Sequence, residues 1–154
     1  MRLWLLAITL PGLCAAGLPT ASLSSYVGKY PFNKVSGLSL YSHPKFRLLV
    51  NGAAPNSSIS ETILNGGVET PIERQGALVV IRACEPHNCG SHQWTVAVLS
   101  PDGPAAICYH DQDLMDDEAR WFVGGYLVGQ TKGCWKGDHT NVPDAVLLAL
   151  MRGQ

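Results

Sequence analysis

Charge is scarce in this chain. Only 15% of its 154 residues are Asp, Glu, Lys or Arg, and 11 basic against 12 acidic side chains leave a formal net charge of −1. Without a basic excess, nothing draws the chain in bulk to a nucleic-acid backbone, so no nucleic-acid partner is expected. Without a run of Lys and Arg, an anionic membrane surface has nothing to hold. The short signatures of common enzymes are also missing: no G-x-G-x-x-G, P-loop, H-E-x-x-H or G-x-S-x-G occurs. The sequence therefore announces no enzyme and no cofactor. After the first 17 residues, no apolar run nears the roughly 20 residues a helix needs to span a bilayer, so no membrane span is expected. What the chain does have is 46% hydrophobic residues. That is enough for one core, and a chain of this length buries roughly two-thirds of its unfolded surface.

The apolar residues at the start have a different use. Arg2 supplies a positive charge, residues 3–13 are apolar apart from Thr9 and the Pro11-Gly12 break, and Cys14-Ala15-Ala16 follow as small residues. This is the pattern of a secretory signal peptide over residues 1–17, with cleavage near Ala16 or Gly17. The alternatives are a buried amphipathic helix, or a lipid anchor on Cys14. The first lacks an alternating face. The second has Leu13 where such signals carry a small residue. Residues 18–154 are then a single exported domain.

Export changes how the cysteines read. Without Cys14 four remain, Cys84, Cys89, Cys108 and Cys134, an even number in an oxidising compartment. Three pairings are possible. Cys84 and Cys89 enclose only four residues, and so small a ring forms readily, which leaves Cys108 for Cys134. In the chain-entropy model the small ring contributes about 2 kcal/mol and the large loop about 3.5 kcal/mol. The small ring thus serves to stiffen a loop more than to stabilise the whole.

Patterning predicts an α+β fold: an antiparallel sheet packed between an N-terminal helical segment and a C-terminal helix, with a protruding disulfide-closed loop. Residues 18–41 hold a short helix of uncertain place. Ser42 reads as the cap of a helix with Pro44 in its first turn, ended by Gly52. Residues 53–67 are rich in Ser, Asn, Gly and Pro, with Ile59, Ile63 and Leu64 as anchors. Residues 68–74 alternate loosely before a turn at Gln75-Gly76. Residues 77–84 form a central strand, 93–99 a second and 104–110 a third, the last two joined by a turn at Ser100-Pro101-Asp102-Gly103. Residues 111–118 are loop or one helical turn. Residues 120–128 read as an outer strand weakened by Gly124-Gly125, and 129–138 as a loop holding Cys134. Asn141 to Asp144 start the last helix, which Gly153 ends.

The informative stretch is Cys84-Glu85-Pro86-His87-Asn88-Cys89-Gly90. It joins two strands. A disulfide across its base would hold the strand ends together, Pro86 fixes one φ, and Gly90 permits a tight exit. The tip then presents His87 with little freedom left to lose, which suits docking into a partner. His87 is the tip's aromatic, titratable group and can donate or accept hydrogen bonds.

This stretch resembles the loop of the inhibitor of vertebrate lysozyme (Ivy) family, in which Pro and His lie between two cysteines with Gly just after. Cys84, Pro86, His87, Cys89 and Gly90 match. The surroundings match more loosely, with a proline-containing helical segment upstream and strands before and after. The resemblance implies a periplasmic protein of a Gram-negative envelope that inhibits c-type lysozymes by inserting the loop into the substrate cleft. His87 would then reach the catalytic carboxylates. A retaining glycosidase holds two carboxyl groups about 5–5.5 Å apart, one of them protonated, and an imidazole between them can bond to both. The resemblance also implies lytic transglycosylases as partners, and a monomer or a homodimer. Glu85 stands where the family commonly has a basic residue, and Asn88 where it commonly has an acid. Both would meet the rim of the cleft.

Other readings of the same residues exist. Cys84, Cys89 and His87, with His92 or His110, could ligate zinc, although a Cys-x4-Cys ring gives poor tetrahedral geometry. Either cysteine could be a nucleophile. The loop could be a plain stapled hairpin. His43, His110 and His139 read as surface or turn residues, and Trp94, Trp121 and Trp135 as core or sheet face rather than a sugar platform. The acidic cluster Asp111, Asp113, Asp116, Asp117 and Glu118 reads as a solvated loop, a weak calcium site or a patch for a basic partner. An immunity or control protein for a peptidoglycan-cleaving toxin uses the same mode as an inhibitor. A carbohydrate-binding module would instead need exposed, coplanar tryptophans.

Overall fold

The structure is a computed structural model that describes residues 21–115, 118–137, 140 and 142–153. The expected signal peptide with its cleavage sites, Cys14, Asp116, Asp117, His139 and Asn141 lie outside the described residues.

A continuous apolar run makes a strand buried on both faces. Strand β3 (Leu78–Cys84) is such a run apart from Arg82, which pairs with Glu73, and all seven of its residues are buried. It lies beside β4 (His92–Leu99), which pairs with β5 (Ala105–Asp111), in registers running from Leu78↔Leu99 to Cys84↔Gln93 and from His92↔Asp111 to Val98↔Ala105. Two short strands, β1 (Val68–Glu69) and β2 (Glu73–Gln75), both pair with β3. Pro71, which has no N–H to give, falls between them. Strands β6 (Ala119–Val123) and β7 (Tyr126–Thr131) complete an antiparallel sheet of order β1-β3-β4-β5-β6-β7.

Alternation along the central strands divides the core in two. Val79, Ile81, Trp94, Val96, Val98 and Ile107 pack with Leu23, Tyr26, Phe46 and Ile63 on one face. Leu78, Val80, Ala97, Cys108 and Trp121 pack with Val146 and Leu150 on the other. The first face is covered by the 3-10 turn Leu23–Tyr26 and by helices α1 (Pro44–Ala53) and α2 (Ser57–Leu64). The second is covered by α4 (Asp144–Arg152), preceded by Pro143 and followed by Gly153. The sheet thus sits between an N-terminal helical layer and a C-terminal helix, as expected. Gly103 is required where it stands, since a Cβ there would meet the Leu99 carbonyl oxygen at 2.7 Å. No helix among the described residues is long and apolar enough to cross a membrane.

Several expectations are corrected. Ser42 does not cap α1. It closes a 3-10 turn (Leu40–Ser42), and His43 takes the cap position without a side-chain bond, with Pro44 at the first helical position. The helix runs past Gly52 to Ala53. His43 is buried, not on the surface: its Nε2 lies 2.7 Å from the Ala21 carbonyl oxygen and its ring meets Tyr26 edge-on. His110 is buried as well. The polar stretch 53–67 contains α2, started by Asn56, whose Oδ1 accepts the Ile59 N–H at 3.0 Å. Over residues 111–118 the expectation of a loop or one helical turn is met by α3 (Gln112–Met115). The single outer strand expected over 120–128 is a hairpin. Val123 pairs with Tyr126 across Gly124-Gly125, whose φ values of +57° and +82° match the twist of the flanking strands.

Candidate functional site

The loop between β3 and β4 is built from consecutive short turns. The ladder closes with the Glu85 N–H donating to the His92 carbonyl at 3.0 Å, and the Asn88 N–H then donates to the Glu85 carbonyl at 3.0 Å. This second bond defines a β-turn with Pro86 and His87 at its centre. Proline holds φ near −65°, and His87 has φ +64°. A negative φ followed by a positive one is the type II turn, whose third position ordinarily takes Gly or Asn. His87 thus stands exposed at the tip in a left-handed conformation that costs an L-residue about 1–2 kcal/mol. The Ser91 and His92 N–H groups then both donate to the Asn88 carbonyl, at 3.1 and 2.8 Å.

Both expected disulfides are present, Cys84–Cys89 and Cys108–Cys134. The first does not join the strand ends, as the sequence suggested. The ladder does that, and the bridge ties the end of β3 to the middle of the loop, three residues before β4 begins. The exit does not depend on Gly90 either: a Cβ there would meet nothing within 4 Å, and its φ is outside the left-handed region. With their sulfurs joined, Cys84 and Cys89 offer no thiolate to a metal or to a substrate.

Beneath the tip runs a chain of polar contacts. The Asn88 Nδ2 donates to Glu85 Oε2 at 2.7 Å, and the same oxygen lies 3.3 Å from His92 Nδ1. The other ring nitrogen of His92 lies 2.6 Å from the Tyr109 hydroxyl, and the ring meets Trp94 and Tyr109 edge-on. The bonds from Asn88 and then His92 hold the Glu85 carboxyl below its ordinary range. Burial, with Asp111 next, pushes the Tyr109 phenol up. Glu85 is therefore turned back on its own loop and serves to brace it.

The loop is also tied sideways. The Ser91 hydroxyl donates to Gln112 Oε1 at 2.8 Å, and the Gln112 N–H donates to the Ser91 carbonyl at 2.8 Å. Gln93, buried on the opposite face of the sheet, reaches two loops at once. Its Nε2 donates to the Cys89 carbonyl at 3.3 Å, while its Oε1 accepts the N–H groups of Cys134 and Trp135, each at 3.1 Å. Sequence reasoning missed both Gln93 and His92 as bracing residues. Their places next to the loop were visible, but the partners on β5 and after β7 were not.

The remaining candidates lie apart from the tip. Trp94 and Trp121 are buried on opposite faces, so they cannot share a sugar-stacking platform, and Trp135 is half-buried. Asp111 and Asp113 are joined by the Asp113 N–H donating to Asp111 Oδ1 at 3.1 Å, and the described residues hold no cluster of three or more potential metal ligands.

Residues 56–109 match the family model described as inhibitor of vertebrate lysozyme (Ivy). The matched segment runs from the cap of α2 to Tyr109 and contains the whole Cys84–Cys89 loop with His92 and Gln93. No curated protein and no solved structure matches the chain.

Proposed function

We propose that the chain is an exported inhibitor of lysozyme-type muramidases, acting in the periplasm of a Gram-negative envelope. The loop over residues 84–90 enters the substrate cleft and His87 lies between the catalytic carboxyl groups. The observation that carries this reading is the tip itself: an exposed histidine on a disulfide-closed turn, inside the segment that matches the family named for lysozyme inhibition. The chemistry fits. An imidazole can donate to an ionised carboxylate on one side and accept from a protonated one on the other. Hydrogen bonds to charged groups contribute about 1.5–3 kcal/mol each. The brace of Glu85, Asn88, His92 and Gln93 means that this geometry exists before docking. The ordering cost of about 1–2 kcal/mol per backbone residue is then not charged to binding. Glu85, bonded inward, is kept from facing the carboxylates as a free like charge, while Pro86 and Asn88 shape the rim contact.

The test is inhibition of c-type lysozyme on peptidoglycan by the oxidised protein, alongside His87→Ala. Inhibition that His87→Ala weakens tenfold or more, at least about 1.4 kcal/mol, supports the plug. Inhibition that ignores the substitution moves the binding surface elsewhere. If c-type lysozyme is untouched and a lytic transglycosylase is blocked, the protein is a control factor acting in the same mode. No effect on either defeats the reading.

A further inference from the structure

We propose that the pocket between the two disulfide-bonded loops is a second arm of the binding face, seating carboxylate side chains of the same enzyme whose cleft receives His87. This rests on the function proposed above. The pocket has a volume of about 350 Å³ and is lined by Gly90 and Gln93 from the His87 side, His110 and Gln112 from β5 and α3, and Lys132, Gly133, Trp135 and Lys136 from the loop after β7.

The two loops are held in fixed relation. Gln93 grips both through the Cys89 carbonyl and the N–H groups of Cys134 and Trp135. The Cys108–Cys134 bridge pins the second loop to the sheet. Thr131 fixes its start, since its hydroxyl accepts from Trp121 Nε1 at 3.0 Å and donates to the Gly133 carbonyl at 2.9 Å.

The position of the pocket follows from chain length. Gly90 is three residues from His87, so their Cα atoms are at most about 11 Å apart. An interface of ordinary size covers about 800 Å² on each partner, a disc of roughly 16 Å radius. An enzyme centred on His87 therefore reaches the Gly90 edge of the pocket. The chemistry follows from charge. Lys132 and Lys136 are exposed and form no ion pair among the described residues. Among the described residues, the lining of the pocket holds two lysines and no carboxylate. Two exposed ammonium groups beside a half-buried tryptophan suit carboxylates. Their source in the partner enzyme is acidic side chains on the rim of its cleft, distinct from the catalytic pair that His87 meets, and complementary charge of this kind acts first on the rate of encounter. The second loop lies outside residues 56–109, so this arm is a property of this chain rather than of the matched segment.

The test compares inhibition by wild type, Lys132→Glu/Lys136→Glu, the milder Lys132→Gln/Lys136→Gln, and a control, Arg74→Glu/Arg152→Glu. The control shifts net charge as far as the lysine reversal does. Its residues sit at the other end of the sheet, Arg74 bonded to Ser100 Oγ and Arg152 next to Gly153, which lies beside Pro104. The expected result is a tenfold or greater loss for the Glu pair, carried mainly by slower association and shrinking at high salt. An intermediate loss is expected for the Gln pair, and a change under twofold for the control. Unchanged inhibition by the Glu pair, with His87→Ala still defective, overturns the second arm and leaves the plug standing. Lysine-dependent binding of soluble muropeptide, without effect on inhibition, also overturns it, in favour of a glycan site. If the wild type inhibits no muramidase, the plug and the arm fall together.

Discussion

Replacing His87 by glycine should make the protein more stable and useless as an inhibitor. The side chain is exposed, so its removal empties no packed space. The backbone at φ +64° costs an L-residue about 1–2 kcal/mol, and glycine removes that cost. Glycine also adds about 0.5–1 kcal/mol of unfolded-state freedom. The difference is a net gain of about 0.5–1 kcal/mol. For a domain of this length that corresponds to a rise of roughly 1–4 °C in Tm. His87→Ala keeps the strained backbone and should leave stability within about 0.5 kcal/mol of wild type. Both variants should lose at least tenfold in inhibition. Thermal and urea unfolding of the oxidised proteins measure the first effect, and a lysozyme assay on peptidoglycan measures the second. Equal stability of the Gly and Ala variants, or a Gly variant weaker than wild type by 1 kcal/mol, would refute the turn geometry. The expected split is what a site shaped for a partner at the expense of the fold produces.

Three further outcomes follow from the bracing. Cys84→Ser/Cys89→Ser should cost about 2 kcal/mol in denaturant unfolding against about 3.5 kcal/mol for Cys108→Ser/Cys134→Ser, because the enclosed segments differ, with sequence separations of 5 and 26. The first pair should nevertheless lose more inhibition, and the opposite ranking would count against a local role for the small ring. Glu85 has its carboxyl lowered by Asn88 and His92, so its hold on the loop is complete above the ordinary value of 4.5 and fades as pH falls through its lower folded value. The Asn88 side-chain amide resonance should follow that transition in the wild type and show none in Glu85→Ala. Gln93→Leu should cost about 1–3 kcal/mol, since it leaves the Cys134 and Trp135 N–H groups without their acceptor. Hydrogen exchange at those two amides should rise well above that of the β3–β4 ladder, and unchanged protection would argue against the clamp.

Local patterning carried much of the fold. Residues 78–81 are Leu-Val-Val-Ile, an apolar run with three β-branched residues that has few choices but a buried strand. Val146 and Leu150 stand four apart after Pro143 and give a helix with one apolar face. Patterning failed where short-range cues conflict. The serines of 57–60 mask α2, because composition suggests a loop while Asn56, Ile59 and Ile63 carry the helical spacing. Gly124-Gly125 read as a flaw in one strand rather than the turn between two. At the loop, the bracket of cysteines around Pro86 and His87 was legible, and so was the pairing that closes it.

The sequence by itself determined which residues stand at the tip, because proline, two cysteines and the flanking strands are local constraints that act within a few bonds. Only the tertiary structure decided how that tip is supported. It turned Glu85 inward to Asn88 and His92, set His92 against Tyr109 from β5, and let Gln93 join the loop to a segment more than forty residues later. The reason is physical. A side chain's type limits what bonds it can make, but its partner is whichever group the folded sheet places within 3–4 Å, and spacing along the chain does not record that distance.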